Sequence, residues 1–551
     1  MDKYSKTIKN LALDLTRIPS VVGTDGEIQM AKKIYDNLSR LRYFKANPEK
    51  LKLVDLKNDS LGRKYVMAII EAENKTSDTV LLLGHIDTVG AMDYGDLRDF
   101  ATVPETLKEK LKDKDFSSEI QEDINSDNWT FGRGIFDMKM GVAALMVMIK
   151  EFSKHCHEMQ ANLVFIAVPD EEGNSAGMLS AAQDLAVIGE ARGWQFIAAI
   201  DTDYMTGLYF GDDKKYVYIG TVGKLLPCFY IYGKETHVGE AFHGLDANLL
   251  ASEIMKLVDL NHELCDIADG EVTLPPISLY QRDLKTEYSV QTVNAVNIYF
   301  NYATHISTTD IVLEKLKAKA VEAFDNTIER LNQGYKRFCE MSNIPYNKLP
   351  WQTKVLTFEE LYRRVKDERP EIEESINRMV EDMLRQNIDD REFTLRIVQE
   401  VHRYYSDKSP LVVLYYAPPY YPHNFVKGES ETEKRLLSAV EAAVNDAKGV
   451  YDYNIVIKKF YPYISDLSYC SVPRGEESLS KLIKNMPAWP KKYSLPVEAI
   501  QKISMPVVNI GPYGKDAHKL TERVSMPYSL DAMPFILKKT IENLLIQNQD
   551  F

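Results

Sequence analysis

The sequence has few cysteines, no long hydrophobic run and a deficit of positive charge. Five cysteines in 551 residues, without paired spacing, favour reduced thiols over a disulfide framework or a cysteine-rich zinc site. No stretch approaches the roughly 20 consecutive apolar residues of a transmembrane helix. The N-terminus also lacks the pattern of a secretory signal. We therefore expect a cytoplasmic protein.

The net charge and the composition exclude several classes of partner. The formal net charge of −14 argues against binding to nucleic acid or to anionic membranes, because both carry charge of the same sign. Apolar residues at 45% and charged residues at 27% are typical of a globular protein with a large core. At roughly 150 residues per domain, 551 residues predict more than one domain.

The order of helical and strand patterns predicts an interrupted α/β domain. Both patterns alternate in the first part of the chain and again near its end, as in α/β layers. Between them the chain changes to tyrosine-rich strands and a long charged helical region at about 310–405. Because insertion into an exposed loop leaves both cores intact, we predict one domain from residues 1–219 and 422–551, and a second from residues 220–421.

The stretch "LLLGHIDTVG" ends an apolar run in two ionisable side chains, His85 and Asp87. The run predicts a strand buried in a parallel sheet, and catalytic groups in such sheets gather at the carboxyl ends of strands. Residues two apart on an extended chain point the same way, so Asp87 can orient the ring of a metal-bound His85. The alternative is a capped turn with a surface histidine.

Further acidic or imidazole side chains occur where strands end or loops begin. They are Asp137 in "GRGIFDMKMG", Glu171 and Glu172 in "VPDEEGNSAG", Asp201 in "IAAIDTD", and His518 in "GPYGKDAHKLTERV". Histidines with carboxylates form a ligand set suited to zinc, manganese or cobalt. The adjacent glutamates repel each other unless a cation is bound or one carries a proton. The alternative is a helix N-cap at Asp170 with two acids in the first turn.

Six motifs in this order resemble one enzyme family. They are "GHIDTV", "GRGIFDMKMG", "DEEGNSAG", a strand-terminal acid, "GKETHVGEAFHGLDAN" and "DAHKLTERV". Together they resemble the co-catalytic zinc peptidase and aminoacylase family, which includes carboxypeptidase G, acetylornithine deacetylase, succinyl-diaminopimelate desuccinylase and tripeptide aminopeptidase. The sequence is most similar to the arginine-utilisation, RocB-like type. The resemblance implies an α/β metallopeptidase catalytic domain with a central mixed sheet flanked by helices, interrupted by a smaller α+β lid domain with a helical insertion.

The resemblance also implies two divalent metal ions, zinc first, with manganese or cobalt as alternatives. The implied ligands are His85 and Asp201 on one ion, Glu172 and His518 on the other, and Asp137 bridging both. Asp203 is the alternative to Asp201, because a shift of two residues keeps the same strand face. The peptide bond after Asp137 is expected to be cis.

Three further residues have catalytic roles by the same resemblance. Glu171 would act as the general base, Asp87 would orient His85, and His237 in "GKETHVGE" would help to hold the carbonyl oxygen of the scissile bond. His243 is the local alternative to His237, and a plain surface-loop histidine is the other interpretation. Because this histidine reaches the partner subunit's site in dimers of the family, a homodimer through the lid domain is expected.

The sequence departs from the family where the substrate is recognised. Many relatives carry an Asp-x-Arg strand in the small domain and an arginine that grips the terminal carboxylate of the substrate, but the comparable strand here reads "NAVNIYFNYATH". The positions expected to contact the substrate are Asn301 on this strand and Gly514 in the last motif. Neither Asn301 nor Tyr302 can replace the bidentate contact of an arginine with a carboxylate. The resemblance therefore does not imply that the substrate of this protein has a free carboxylate.

The sequence thus predicts a metal-dependent hydrolase that cleaves an amide bond of a small peptide or N-acyl amino acid, in arginine or related amino-acid catabolism. The alternative is a non-catalytic descendant that binds a ligand or partner through the same cleft. Retention of Glu171 argues against it, because a binding module needs no base. Aminopeptidase and deacylase activities both stay open, since they differ only in whether the pocket recognises an amine or an acyl group.

Overall fold

The computed structural model describes residues 4–57, 59–386, 388–472 and 476–546. The chain forms two compact units, the first comprising Met1–Thr221, Asn424–Val472 and Pro496–Phe551, and the second Val222–His423 and Pro473–Leu495. The boundaries expected after residues 219 and 421 lie close to the divisions after Thr221 and His423. One expectation is wrong: Pro473–Leu495 belongs to the second unit and not to the catalytic part.

This late segment joins the second unit through hydrogen bonds and ion pairs. The main-chain N–H of Tyr416 donates to the carbonyl oxygen of Asn485 at 2.7 Å. The side-chain oxygen of Asn485 accepts the N–H of Glu359 at 3.0 Å, and Lys481 pairs with Glu359 at 3.1 Å. Contacts that involve main-chain groups leave no pattern in the sequence. The sequence therefore could not predict that Pro473–Leu495 rejoins the second unit.

The first unit is built on a mixed sheet flanked by helices. In the described residues this main sheet has eight strands, in sheet order Leu51–Asp55, Lys64–Ile70, Asn162–Val168, Asp78–His85, Gln195–Asp201, Val507–Asn509, Lys215–Tyr218 and Ile455–Lys458. Strand Asp78–His85 is parallel to both of its neighbours, and Val80 to Leu83 are fully buried. The predicted buried parallel strand is therefore confirmed, since a continuous apolar run suits a strand covered on both faces.

The helices of the first unit follow their apolar spacing. The longer ones are Ser5–Thr16, Asp25–Ser39, Met140–Phe152, Ala176–Arg192, Glu431–Val450 and Ala532–Leu545. Helix Asp25–Ser39 buries Met30, Ile34 and Leu38, which lie four residues apart on one face. Helix Met140–Phe152 is buried along nearly its whole length, as its apolar sequence predicts.

The second unit combines a smaller sheet with a mainly helical stretch. Within the described ranges its sheet has five strands, in order Ile277–Asp283, Ala295–Thr304, Gly223–Tyr232, Leu411–Tyr421 and Val355–Thr357. Its longer helices are Ala247–Val258, Thr309–Ser342, Phe358–Glu368, Ile372–Arg385 and Asp390–Tyr404. The last four occupy the predicted helical region, with strand Val355–Thr357 between them. None of the described helices is both long and apolar enough to span a bilayer.

A buried histidine links the stability of the second unit to pH. His402 is 4% exposed, its Nδ1 lies 3.2 Å from the hydroxyl oxygen of Tyr230, and its ring packs edge-on against Tyr232 with centroids 4.4 Å apart. Burial lowers the pKa of His402 to about 4, against about 6.5 in an unfolded chain. Between these values the unfolded chain binds the proton more tightly than the folded unit does.

We therefore expect the free energy of unfolding of this unit to fall by up to about 3 kcal/mol as the pH drops from about 6.5 to about 4. The variant His402→Phe should lose most of this dependence, measured by urea unfolding at several pH values across that window. His262, an exposed histidine of the same unit, supplies the control variant His262→Phe. An unchanged acid slope in His402→Phe would contradict the assignment.

Candidate metal centre

Three neighbouring strands of the main sheet end side by side at the candidate site. In the parallel register His85 lies opposite Val168, and Leu83 lies opposite Asp201. The loop after Val168 carries the adjacent glutamates, beginning with Glu171. Because the carboxyl ends of parallel strands share one edge, the histidine and the carboxylates meet there.

Two groups of side chains that could hold a cation share Asp137. One consists of His85, Asp137 and Asp203, the other of Asp137, Glu172 and His518, and the ligand atoms of each group lie within 4.8 Å of one another. Nε2 of His85 is 3.0 Å from Oδ1 of Asp137, and Nε2 of His518 is 3.1 Å from Oδ2. The two oxygens of one carboxylate thus face two histidines, which is the arrangement of a bridging ligand.

The loop that carries Asp137 is fixed by a buried ion pair. Arg133 donates to Glu522 at 2.6 Å, and the main-chain N–H of Gly134 donates to the other oxygen of Glu522 at 2.7 Å. Gly134 has a φ of +77°, and the peptide bond after Asp137 is cis, as the resemblance implies. A Cβ at Gly134 would lie 2.4 Å from the methyl group of Thr88, so this turn requires glycine.

Asp87 connects His85 to both glutamates. Nδ1 of His85 lies 3.2 Å from the carbonyl oxygen of Asp87 and 3.6 Å from its Oδ1. The two carboxylate oxygens of Asp87 accept the main-chain N–H groups of Glu171 and Glu172 at 3.1 and 2.9 Å. His85 is 3% exposed, so the alternative of a surface histidine is wrong. Asp87 orients the imidazole and also fixes the backbone of the glutamate pair.

Asp170 caps the helix that follows the glutamates. Its Oδ2 accepts the N–H of Ala176 at 3.0 Å, the first residue of helix Ala176–Arg192. The capping alternative is therefore partly right, but Glu172 precedes the helix and does not lie in its first turn. Its Oε1 is 2.9 Å from Nε2 of His518.

The site concentrates buried carboxylates that repel one another. Burial, followed by repulsion from Asp137, raises the pKa of Asp203 well above its ordinary value. Burial, with repulsion from Glu172, likewise raises the pKa of Glu171. Such a cluster is stabilised when a cation binds among the carboxylates. The nitrogen and oxygen donors present therefore fit a divalent metal ion.

His518 is held in its charged form by its carboxylate neighbours. Burial would lower the pKa of His518, but contacts with Asp137 and Glu172 raise it to about 10. A metal ion that binds Nε2 must displace this proton, so metal affinity is expected to fall as the pH falls.

Asp203 and not Asp201 lies in a ligand group. Oδ1 of Asp201 accepts the N–H of Thr202 at 2.7 Å, and Oδ2 accepts the hydroxyl of Ser465 at 3.1 Å. Among the described residues Asp201 belongs to neither group, so the geometry favours Asp203, the alternative, and the identity of the ligand stays a prediction. Asp201 is the last residue of strand Gln195–Asp201 and Asp203 follows it, so a pattern of strand-terminal acids could not separate the two.

Replacing the two aspartates should distinguish them by metal content. Asp203→Asn is expected to weaken metal binding by at least about 10- to 100-fold, the cost seen even for residues that only orient a ligand. Asp201→Asn should retain both metals, because its oxygens already bind Thr202 and Ser465. Elemental analysis after dialysis against a range of free zinc concentrations measures both. Metal loss confined to Asp201→Asn would show that Asp201 is the ligand.

Sequence reasoning missed one buried acid near this site, Asp466. It is 2% exposed, and burial raises its pKa well above the ordinary value, with repulsion from Asp87 and Asp201 adding to the effect. Its motif, "ISDLSYC", does not follow a strand pattern. A search for ionisable residues at predicted strand ends therefore does not find Asp466.

The structure shows where the other predicted site residues lie, but it does not assign a role to them. His237 and His243 are exposed, and Asn301 is half-buried, all in the second unit. Gly514 lies in the first unit, where a Cβ would come within 2.3 Å of the carbonyl oxygen of Arg523. The close packing explains the glycine. Contact of these residues with a substrate stays a prediction.

This chain is similar to known proteins over nearly its whole length. The family model described as peptidase family M20/M25/M40 matches residues 81–542. Protein RocB of Bacillus subtilis is 34% identical over 541 residues, which cover 98% of this chain and 95% of RocB. Protein YqjN of the same organism is 35% identical over 546 residues, with 98% and 96% covered.

A solved structure shows the same fold. Aminopeptidase PepT from Bacillus cereus aligns with a TM-score of 0.53 at 12% identity, covering 98% of each chain. The expected fold class, a central mixed sheet flanked by helices with a second unit inserted, and the RocB-like resemblance are confirmed. The chain belongs to peptidase family M20/M25/M40 and is a hydrolase that acts on C–N bonds.

Proposed function

We propose that the protein hydrolyses the amide bond of a small peptide or N-acyl amino acid with the help of two divalent cations. The observation that carries the proposal is Asp137, whose two oxygens lie 3.0 and 3.1 Å from His85 and His518. Asp203 and Glu172 complete the two groups. This mixture of imidazole and carboxylate donors suits zinc, with manganese and cobalt as alternatives.

The surrounding residues support a division of roles. Two cations at such a site would acidify a shared water and polarise the amide carbonyl. Glu171 lies outside both ligand groups, so its carboxylate is free to accept the proton and pass it to the leaving nitrogen. Burial raises the pKa of the Glu171 carboxyl. His237 is proposed to hold the carbonyl oxygen, and the arginine-catabolic setting rests on the resemblance alone.

A homodimer through the second unit is part of the same proposal. Strand Ile277–Asp283 is the edge strand of its sheet, and Leu279 on it is 52% exposed. The nearby Val272 and Leu274 are 57% and 65% exposed. An edge strand presents unpaired main-chain groups that can pair with a second copy of itself. Sedimentation should therefore detect dimers, and Leu279→Lys should shift them to monomers; a monomeric wild-type protein would contradict this part.

A substrate screen on metal-reconstituted protein tests the proposed activity. Metal-free protein is loaded with zinc, manganese or cobalt and incubated with dipeptides and N-acyl amino acids, and the released amines are quantified. At least one class should be cleaved in a metal-dependent way. Metal binding without hydrolysis of any compound would contradict the proposal and favour a non-catalytic binding protein.

A further inference from the structure

A cavity of about 450 Å³ in the first unit adjoins the candidate metal centre. Phe136 and Tyr204 line it and are the chain neighbours of Asp137 and Asp203. A space of this size accommodates a small organic group. When the amide carbonyl of a substrate lies at the metal centre, a substrate side chain next to that amide could therefore enter this cavity.

One wall of the cavity is aromatic. The ring of Tyr204 packs against Phe136 with centroids 4.8 Å apart, and against Tyr463 at 4.9 Å. Tyr204 and Tyr463 are half-buried, so part of each ring remains available to a ligand. Aromatic surfaces of this kind favour flat or bulky apolar groups.

The lining also includes charged side chains, but its cations are already paired. The pairs are Lys515 with Glu119 and Asp123, Arg523 with Asp123 and Asp516, and Lys519 with Asp516, at distances from 2.5 to 3.3 Å. An ionised ligand group would have to compete with these carboxylates or cations for a partner. This part of the lining therefore offers little to a charged side chain.

We propose that this cavity selects an uncharged, bulky side chain, aromatic or long aliphatic, next to the scissile amide. The inference rests on the proposed amide hydrolysis and adds the substrate class. One methylene more or less against an apolar surface changes kcat/KM by about 10- to 200-fold, and the aromatic part of the lining is expected to act in this way. A preference of that size for phenylalanine or leucine over aspartate or lysine is the expected result.

Two dipeptide series, Ala-X and X-Ala, test the cavity with zinc-loaded protein, where X is alanine, leucine, phenylalanine, aspartate or lysine. One series should show the preference for bulky uncharged X. Tyr463→Ala should bring the phenylalanine-to-alanine ratio of kcat/KM close to one, and Tyr463→Phe should retain it. Tyr35→Ala, which removes a half-buried tyrosine from helix Asp25–Ser39, is the matched control and should leave the ratio unchanged.

The outcomes separate the cavity from the proposed activity. A preference for charged X, no preference, or an unaltered ratio in Tyr463→Ala overturns the cavity assignment alone. Failure to cleave any dipeptide or N-acyl amino acid overturns the proposed activity. In that case calorimetry with N-acetylphenylalaninamide and N-acetylalaninamide still tests the cavity assignment. Equal affinities for the two ligands, or an unchanged affinity for the phenylalanine ligand in Tyr463→Ala, overturn it.

A separate aromatic cluster in the second unit carries a second inference, on the helical insertion. Phe242 packs against Tyr335 and Phe338 of helix Thr309–Ser342, with centroids 5.0 and 5.4 Å apart. Among residues 237–243 it is the one that is half-buried, and the others are exposed. We infer that the insertion helix holds the His237 segment in place through Phe242, a positioning residue. The inference rests on the proposed role of His237.

Hydrogen exchange and kinetics together test this anchor. Phe242→Ala should speed amide exchange in residues 238–243 and lower kcat by about 10- to 100-fold, as small misplacements do, with a smaller change in KM. Phe242→Leu should restore part of the loss. In a His237→Ala background Phe242→Ala should have no further effect on kcat, because the two changes remove one function.

Met341→Ala provides the control, because Met341 lies on the same helix and is 79% exposed. Unchanged amide exchange in Phe242→Ala overturns the anchor. A fully additive loss of kcat in the double variant overturns it as well. Faster exchange in Phe242→Ala, together with full turnover in His237→Ala, would instead overturn only the proposed role of His237.

Discussion

Glu171→Gln is expected to lower kcat by about 10²- to 10⁴-fold on a verified substrate, with little change in substrate binding. Glutamine keeps the size of the side chain, and the main-chain N–H of Glu171 still donates to Asp87 at 3.1 Å. The amide cannot accept a proton from water. Since Glu171 lies outside both ligand groups, the metal content should stay at the wild-type level, measured in the same samples as the kinetics.

The adjacent residue provides the matched comparison. Glu172→Gln replaces a group whose Oε1 is 2.9 Å from Nε2 of His518, so metal should be lost first and activity with it. Excess metal should then restore part of the activity of Glu172→Gln and none of that of Glu171→Gln. Near-normal turnover in Glu171→Gln would show that the base is elsewhere, and it would strengthen the binding-protein alternative.

Asp137→Ala is expected to abolish metal binding and turnover together. Each oxygen of Asp137 lies close to a different histidine, His85 or His518, so one substitution removes a ligand from both groups. Elemental analysis after gel filtration should fall from two metals per chain to nearly none. Asp213→Ala, at an exposed position of the same unit, is the control, and circular dichroism checks that both variants fold. Full metal content in Asp137→Ala would refute the bridging role.

Strand ends made much of this site predictable from the sequence. The run Val80–Leu83 is apolar because both faces of its strand are covered, and such a run locates His85 at the edge where ligands gather. The pairing of His518 with Glu172 came from the resemblance, because no periodic pattern brings a late loop beside an early strand.

The remaining features depend on contacts that leave no local pattern. Asp201 ends its strand and Asp203 follows two residues later, yet only Asp203 lies in a ligand group. The oxygens of Asp201 accept hydrogen bonds from Thr202 and Ser465 instead. The pair between Arg133 and Glu522 joins residues 389 positions apart in the chain. Long-range pairing of this kind is decided by packing, so a single sequence does not reveal it.

The division of the chain has a consequence for protein engineering. The polypeptide passes between the two units at four places, after Thr221, His423, Val472 and Leu495. Excising residues 222–423 as one cassette would leave Pro473–Leu495 attached to the first unit without the partners of Asn485 and Lys481. A chimaera that exchanges the second unit with that of a relative must therefore transplant two separate pieces of chain, and an isolated first unit needs two linkers.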